Sequence, residues 1–271
     1  MKISLSDIEE TLLPPLWGRA RISQEWPSFF CDPQSVSLFK RVDYDFSSID
    51  DAIGLEGAFV QASYAKQFDG KVRSYVARHP KASVVNLGAG LDTAFYRVDN
   101  GTIRWYDLDL PAVMELRSQL LPAPERVTYL SGSLFDPDWH THILSEDGVI
   151  IITTGVFMYF TEPRIRRLLS SLADKFPRAE LIFDTQPWFA SREGKRIANL
   201  EMEKMGLKGA PVKFALRDAR TVTRWDDRIT VVDQVPLFRN IPREPAWGSS
   251  MNEWMDTVDE NSMSKVVHLR V

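Results

Sequence analysis

The chain has 271 residues, 44% of them hydrophobic and 26% charged, enough to bury one large α/β core with a modest appendage but not two independent cores. A formal net charge of -4 leaves no basic surplus of the kind that drives binding to phosphate backbones or anionic lipid surfaces, so neither nucleic acid nor membrane is an expected partner. No apolar stretch approaches a bilayer span, residues 1–20 lack the pattern of a secretory signal, and a lone cysteine, Cys31, excludes an internal disulfide and a cysteine-based metal cluster, a composition that suits the cytoplasm.

The first eighty residues contain no strand pattern. They carry Trp17, Trp26, Pro27, Phe29, Phe30 and Pro33, followed by helical periodicity over 54–64 and 68–78, and are expected to form a helical cover over residues 1–80. Short β-branched runs then alternate with helical stretches, the signature of parallel βαβ units. Strands are expected over 83–88, 103–109, 127–131, 148–154 and 180–185. Between them, 110–121 starts with Pro111 and spaces Val113, Leu116 and Leu120 for a helix, and 162–176 does the same with Ile165, Leu168, Leu169 and Leu172. His140 and His142 form a close pair in the loop after the third strand, but two imidazoles without further ligands do not make a metal site, and none is expected.

After the fifth strand the alternation changes. Residues 190–205 read as a helix, 212–216 as a short apolar run, and 229–237 and 265–271 as two late strands that pair at the sheet edge. The expected architecture is therefore a Rossmann-like α/β domain over 81–271 with a seven-stranded, mostly parallel sheet. Residues 186–228 form an insertion suited to the wall of an acceptor pocket.

The segment Ser83-Val-Val-Asn-Leu-Gly88-Ala-Gly90 runs a buried strand into a glycine turn, where the missing Cβ atoms let a ligand approach the backbone. The second strand ends in Trp105-Tyr-Asp107-Leu-Asp109, about twenty residues on, where an acid can hydrogen-bond ribose hydroxyls. A nicotinamide dinucleotide fingerprint wants a third glycine at position 93, which is Thr93. The ends of the first four strands, carrying Gly88, Gly90, Asp109, Ser133, Leu134 and Thr154, converge on one crevice.

These segments, VVNLGAGLDTAFYR (Val84 to Arg97), WYDLDLP (Trp105 to Pro111) and IITTGVFMYFTEPRIRRLL (Ile151 to Leu169), resemble the leucine carboxyl methyltransferase family over about residues 17–183. The resemblance implies a class I methyltransferase fold with S-adenosylmethionine across the crevice, its methionine part over Gly88 and its ribose on Asp109, with Asp107 as the alternative. It implies adenine contacts from Ser133 and Leu134, where the family has an acid and the residue after it, and an ammonium contact at Thr154, where the family has a glutamate. It implies basic residues that hold carboxylate groups. Arg21 matches the first of these, and the second aligns with Tyr64, beside which Lys66 offers a substitute.

Methyl transfer from a sulfonium requires an oxygen placed in line with the methyl group and water excluded. A carboxylate is ionised at neutral pH and needs no general base, which fits motifs that hold no Ser-His-Asp or Cys-His arrangement. The expected reaction is O-methylation of a small carboxylic acid or hydroxyl compound, with Tyr159 as a candidate for orienting the acceptor. Two other classes compete: a nicotinamide-dependent oxidoreductase, and a non-catalytic binding module of the methyltransferase fold.

Overall fold

The computed structural model of the chain describes residues 9–207 and 209–271. Its centre is built from runs such as Val149-Ile-Ile-Ile-Thr153, which lack polar alternation because both faces are covered. Five strands are parallel: β1 (Ser83–Leu87), β2 (Arg104–Asp109), β3 (Val127–Ser131), β4 (Val149–Thr153) and β5 (Glu180–Thr185). With β6 (Thr230–Pro236) and β7 (Lys265–Arg270) they form one seven-stranded sheet in the order β3-β2-β1-β4-β5-β7-β6. β7 runs antiparallel to both of its neighbours. The expected strands are all present, and the order reverses beside β1, which sets the crevice at the carboxyl ends of β1, β2, β4 and β5.

Successive side chains on each strand face opposite sides. Val84, Trp105, Ile150, Ile152 and Ile182 pack with the amino-terminal helices in one apolar cluster. Val85, Leu87, Tyr106, Ile151, Leu181 and Phe183 pack in a second with α6 (Glu162–Lys175). The first face is covered by α1 (Leu13–Glu25), α2 (Pro33–Arg41) and α3 (Ser47–Arg78). α4 (Ala94–Val98) and α5 (Pro111–Leu120) join the first two strands to their successors, α7 (Arg192–Lys204) follows β5, and α8 (Ser249–Glu260) lies between β6 and β7.

Two local expectations are corrected. The helices expected over 54–64 and 68–78 are one 32-residue helix, α3, since Ala65, Lys66 and Gln67 contain no breaker. Its irregularity lies earlier, at Gly54 (φ 53°, ψ -154°), a backbone conformation that only glycine adopts readily. α1, α2 and α8 were not foreseen, because α1 is buried almost all round and shows no apolar stripe, while α8 interrupts what reads as a simple terminal strand pair. The short apolar run over 212–216 has no regular secondary structure, and Val212 and Lys213 line the crevice. α2 starts where Asp32 accepts the Ser35 N–H at 3.0 Å with Pro33 in the first turn. Among the described residues no helix is long and apolar enough to cross a membrane.

Candidate active site

The crevice is a cavity of about 760 Å³, within the range of small-molecule sites. Its floor is the glycine turn. Gly88 and Gly90 hold φ of 70° and 47°, and the N–H groups of Gly88 and Ala89 donate to the Leu108 carbonyl at 2.8 and 3.1 Å. A Cβ on Gly88 would lie 2.4 Å from Cγ2 of Val156, so the turn is packed against the loop after β4 as well as held to the end of β2. Asp109 completes the tie: Oδ2 accepts the Gly90 N–H at 2.7 Å and Oδ1 the Leu110 N–H at 2.7 Å. Asp109 lines the crevice, and each oxygen keeps capacity for a further donor. Burial raises the Asp109 pKa, and the two backbone donors work against that rise.

Asp107 does not reach the crevice. It is 0% exposed, bound by Arg117 Nη2 at 2.7 Å, Trp105 Nε1 at 2.8 Å and Asn86 Nδ2 at 3.2 Å. Thr93, at the position of a third dinucleotide glycine, donates to Asp32 at 2.6 Å. Arg97 bridges Asp32 and Asp69 at 2.6 and 2.7 Å, so Asp32 caps α2 and also anchors the glycine turn's helix. All of these charges are satisfied inside the protein.

The structure separates the expected basic residues from the site. Arg21 lies on the outer face of α1, paired with Glu25 and Asp50. Lys66 donates to the Phe29 carbonyl at 2.7 Å and stands over the Phe29 ring. Neither lines the crevice. Arg19 does, 6% exposed, with Nη2 on the Leu91 carbonyl at 2.9 Å and a buried Nε that makes no hydrogen bond but lies 3.7 Å from Asp32 Oδ2 in an ion pair. Residues two apart on a helix point about 200° apart, so α1 turns Arg19 inward and Arg21 outward.

Ser133 and Leu134 both line the crevice. The Ser133 N–H is taken by Asp136 at 2.7 Å and its hydroxyl accepts from Phe135 N at 3.2 Å. Thr154 lines it too, at the end of β4. Beside Thr154 stands Asp184, a residue that sequence reasoning passed over although an acid closing the apolar run Glu180-Leu-Ile-Phe-Asp184 was visible. Asp184 accepts the Gly155 N–H at 2.6 Å and Gln186 Nε2 at 2.8 Å. Gln186 also reaches the Tyr64 hydroxyl at 3.1 Å, so Tyr64 lies in the crevice where its neighbour Lys66 does not.

Beyond this polar rim the cavity opens into an apolar chamber between α3 and α7. Met202, Met205, Leu207 and Ala210 pack with Ile53 and Tyr159 in a separate cluster, and Val60 and Val212 extend the lining. Tyr159 lines the chamber with its hydroxyl bonded to Thr11, and burial raises its pKa. A phenol held this way is a neutral donor or acceptor, not a base.

A nucleoside-like floor, one acid at the end of β2 and an adjoining apolar chamber on a 3-2-1-4-5-7-6 sheet define a class I S-adenosylmethionine-dependent methyltransferase. The model of the leucine carboxyl methyltransferase family matches residues 30–173, and the chain belongs to that family. It is 30% identical over 188 residues to the tetracenomycin polyketide synthesis O-methyltransferase TcmP of Streptomyces glaucescens, covering 69% of each chain. It is 28% identical over 204 residues to the S-adenosyl-L-methionine-dependent methyltransferase dpfgK of Gibberella zeae, covering 68% of this chain and 67% of that one. Its fold is similar to that of a Thermobifida fusca protein described as a methyltransferase, with a TM-score of 0.60 at 15% identity over 83% of this chain and 86% of the other. A DUF574 family protein of Streptomyces avermitilis gives 0.59 at 13% identity over 87% and 96%. The protein is an S-adenosylmethionine-dependent O-methyltransferase, and the oxidoreductase reading falls with Thr93.

Proposed function

We propose that the protein methylates an oxygen of a small, largely apolar molecule seated between α3 and α7, and that this oxygen belongs to a carboxylate. The observation that carries the reading is the continuity of the glycine turn and Asp109 with the apolar chamber inside one cavity. Asp109 holds the ribose hydroxyls, Gly88 and Gly90 underlie the methionine part, and Ser133 and Leu134 flank the adenine. Arg19, which lines the crevice and whose Nε has only a long ion pair to Asp32 and no hydrogen bond, takes the cofactor carboxylate, the role that sequence alone offered to Arg21 or Lys66. When bound, S-adenosylmethionine supplies an electrophilic methyl group on a sulfonium.

The protein's own contribution is placement and exclusion of water. Residues 1–80 act as the cover and 186–228 as the acceptor wall. Tyr159 and Gln186 orient the acceptor oxygen with neutral hydrogen bonds, and a carboxylate already ionised at neutral pH needs no base among them. The name of the Streptomyces relative points to polyketide-like acceptors. The test is turnover of labelled S-adenosylmethionine with a panel of aromatic carboxylic acids and phenols. The proposal expects S-adenosylhomocysteine and an ester cleaved by mild base. A base-stable ether would overturn the carboxylate and leave methyl transfer standing.

A further inference from the structure

Among the described residues the buried carboxylates Asp32, Asp69, Asp107 and Glu180 each have an arginine within ion-pair distance. Asp184 is the exception. It is 7% exposed, lines the crevice, and its contacts are the Gly155 N–H and the Gln186 amide, with no basic side chain in ion-pair reach among those residues. Burial raises its pKa, opposed by hydrogen bonds and by no nearby cation. A desolvated carboxylate is costly unless paired with opposite charge, and this one lines the cavity with each oxygen accepting one hydrogen bond and keeping capacity for another.

Its position names the cation. β4 and β5 pair Thr153 with Phe183, which makes Thr154 and Asp184 the next neighbours across the two parallel strands. The loop that follows Thr154 ties these ends to the glycine turn, since the Gly155 N–H donates to Asp184 and Val156 abuts Gly88. Thr154 has a hydroxyl and no charge. We propose that Asp184 receives the α-ammonium group of S-adenosylmethionine, supplying from the end of β5 the negative charge that Thr154 does not supply from the end of β4. An ammonium donates hydrogen bonds to the free lone pairs of such a carboxylate and a sulfonium cannot, so the ammonium is the charge that fits.

The inference rests on the cofactor position given above, and binding measurements separate the two. Wild type, Asp184→Asn and Asp184→Asn with Thr154→Glu are titrated calorimetrically with S-adenosylhomocysteine, S-adenosylmethionine and 5′-methylthioadenosine, which keeps the nucleoside and lacks the amino-acid part. Thermal unfolding checks that each variant is folded. Asp184→Asn is expected to bind S-adenosylhomocysteine and S-adenosylmethionine at least tenfold more weakly and 5′-methylthioadenosine unchanged, with Thr154→Glu recovering most of the loss. Unchanged S-adenosylhomocysteine affinity, an equal loss for all three ligands, or a loss confined to S-adenosylmethionine would each overturn the assignment. Wild type that binds none of them would overturn the cofactor position itself.

Discussion

Two acidic regions flank the crevice and are built on opposite terms. On the β1–β2 side, Asp32, Asp69 and Asp107 are neutralised by Arg97 and Arg117 and carry the fold. On the β4–β5 side, Asp184 is as deeply buried but rests only on neutral donors. A charge paired inside the protein has finished its work when the chain folds. A charge left unpaired at a cavity wall weakens the free protein and becomes favourable only with a ligand. Which side of the comparison an acid belongs to is therefore measurable as stability or as affinity.

The largest effect belongs to the paired side. Asp107→Ala leaves Arg117 buried without a counter-charge and is expected to lower unfolding free energy by about 3–5 kcal/mol in urea denaturation. Asp107→Leu combined with Arg117→Met should cost much less, and equal losses in the two variants would mean the pair is not the cause. Asp109→Ala comes next and acts on affinity: loss of a charge-assisted hydrogen bond, about 1.5–3 kcal/mol, is roughly ten- to a hundredfold in the S-adenosylhomocysteine dissociation constant. Asp107→Asn, measured on folded protein, should change that constant less. A larger loss at Asp107 would move the ribose contact there.

Arg19→Met and Arg21→Ala divide α1 in the same way. The first is expected to weaken the cofactor about tenfold, for loss of one charged contact. The second should leave binding unchanged, because Arg21 belongs to a surface pair worth at most about 1 kcal/mol to stability. The reverse pattern would return the carboxylate contact to Arg21.

The smallest effect is on the unpaired side. Burial raises the folded pKa of Asp184, so between the unfolded and folded values the native state binds more protons, and stability falls as pH rises through that window. Asp184→Asn is therefore expected to stabilise the ligand-free protein at pH 7 by about 1 kcal/mol. The gain should fade as pH is lowered toward about 4, the unfolded value. A destabilised variant at pH 7 would show that Asp184 is already paid for by the fold.

The sheet was legible because short β-branched runs bounded by turn residues alternate with helical stretches, Val149 to Thr153 being the most apolar of them. α1 was not, since a helix buried on most sides has no stripe to betray it. Gly88, Gly90 and Asp109 were legible as crevice lining because a glycine turn after one strand and an acid at the end of the next are local features. Asp107 and Asp109 share a face of β2, and only the tertiary position of Arg117 assigns one to the interior. Arg21 and Lys66 lie outside the crevice for the same reason: which cation faces it is set by helix phase and by what packs beside it, not by distance from a motif.

The most direct measurement is a calorimetric titration of S-adenosylhomocysteine into wild type and Gly88→Val. Valine at φ 70° would force Cβ to 2.4 Å from Val156, shifting the turn on which the ligand rests, with strain of about 1–3 kcal/mol. Wild type should give a saturable one-to-one isotherm that is lost in Gly88→Val while the variant keeps its secondary structure by circular dichroism. Equal binding by a folded Gly88→Val, or no binding by wild type, would contradict a cofactor seated over the glycine turn.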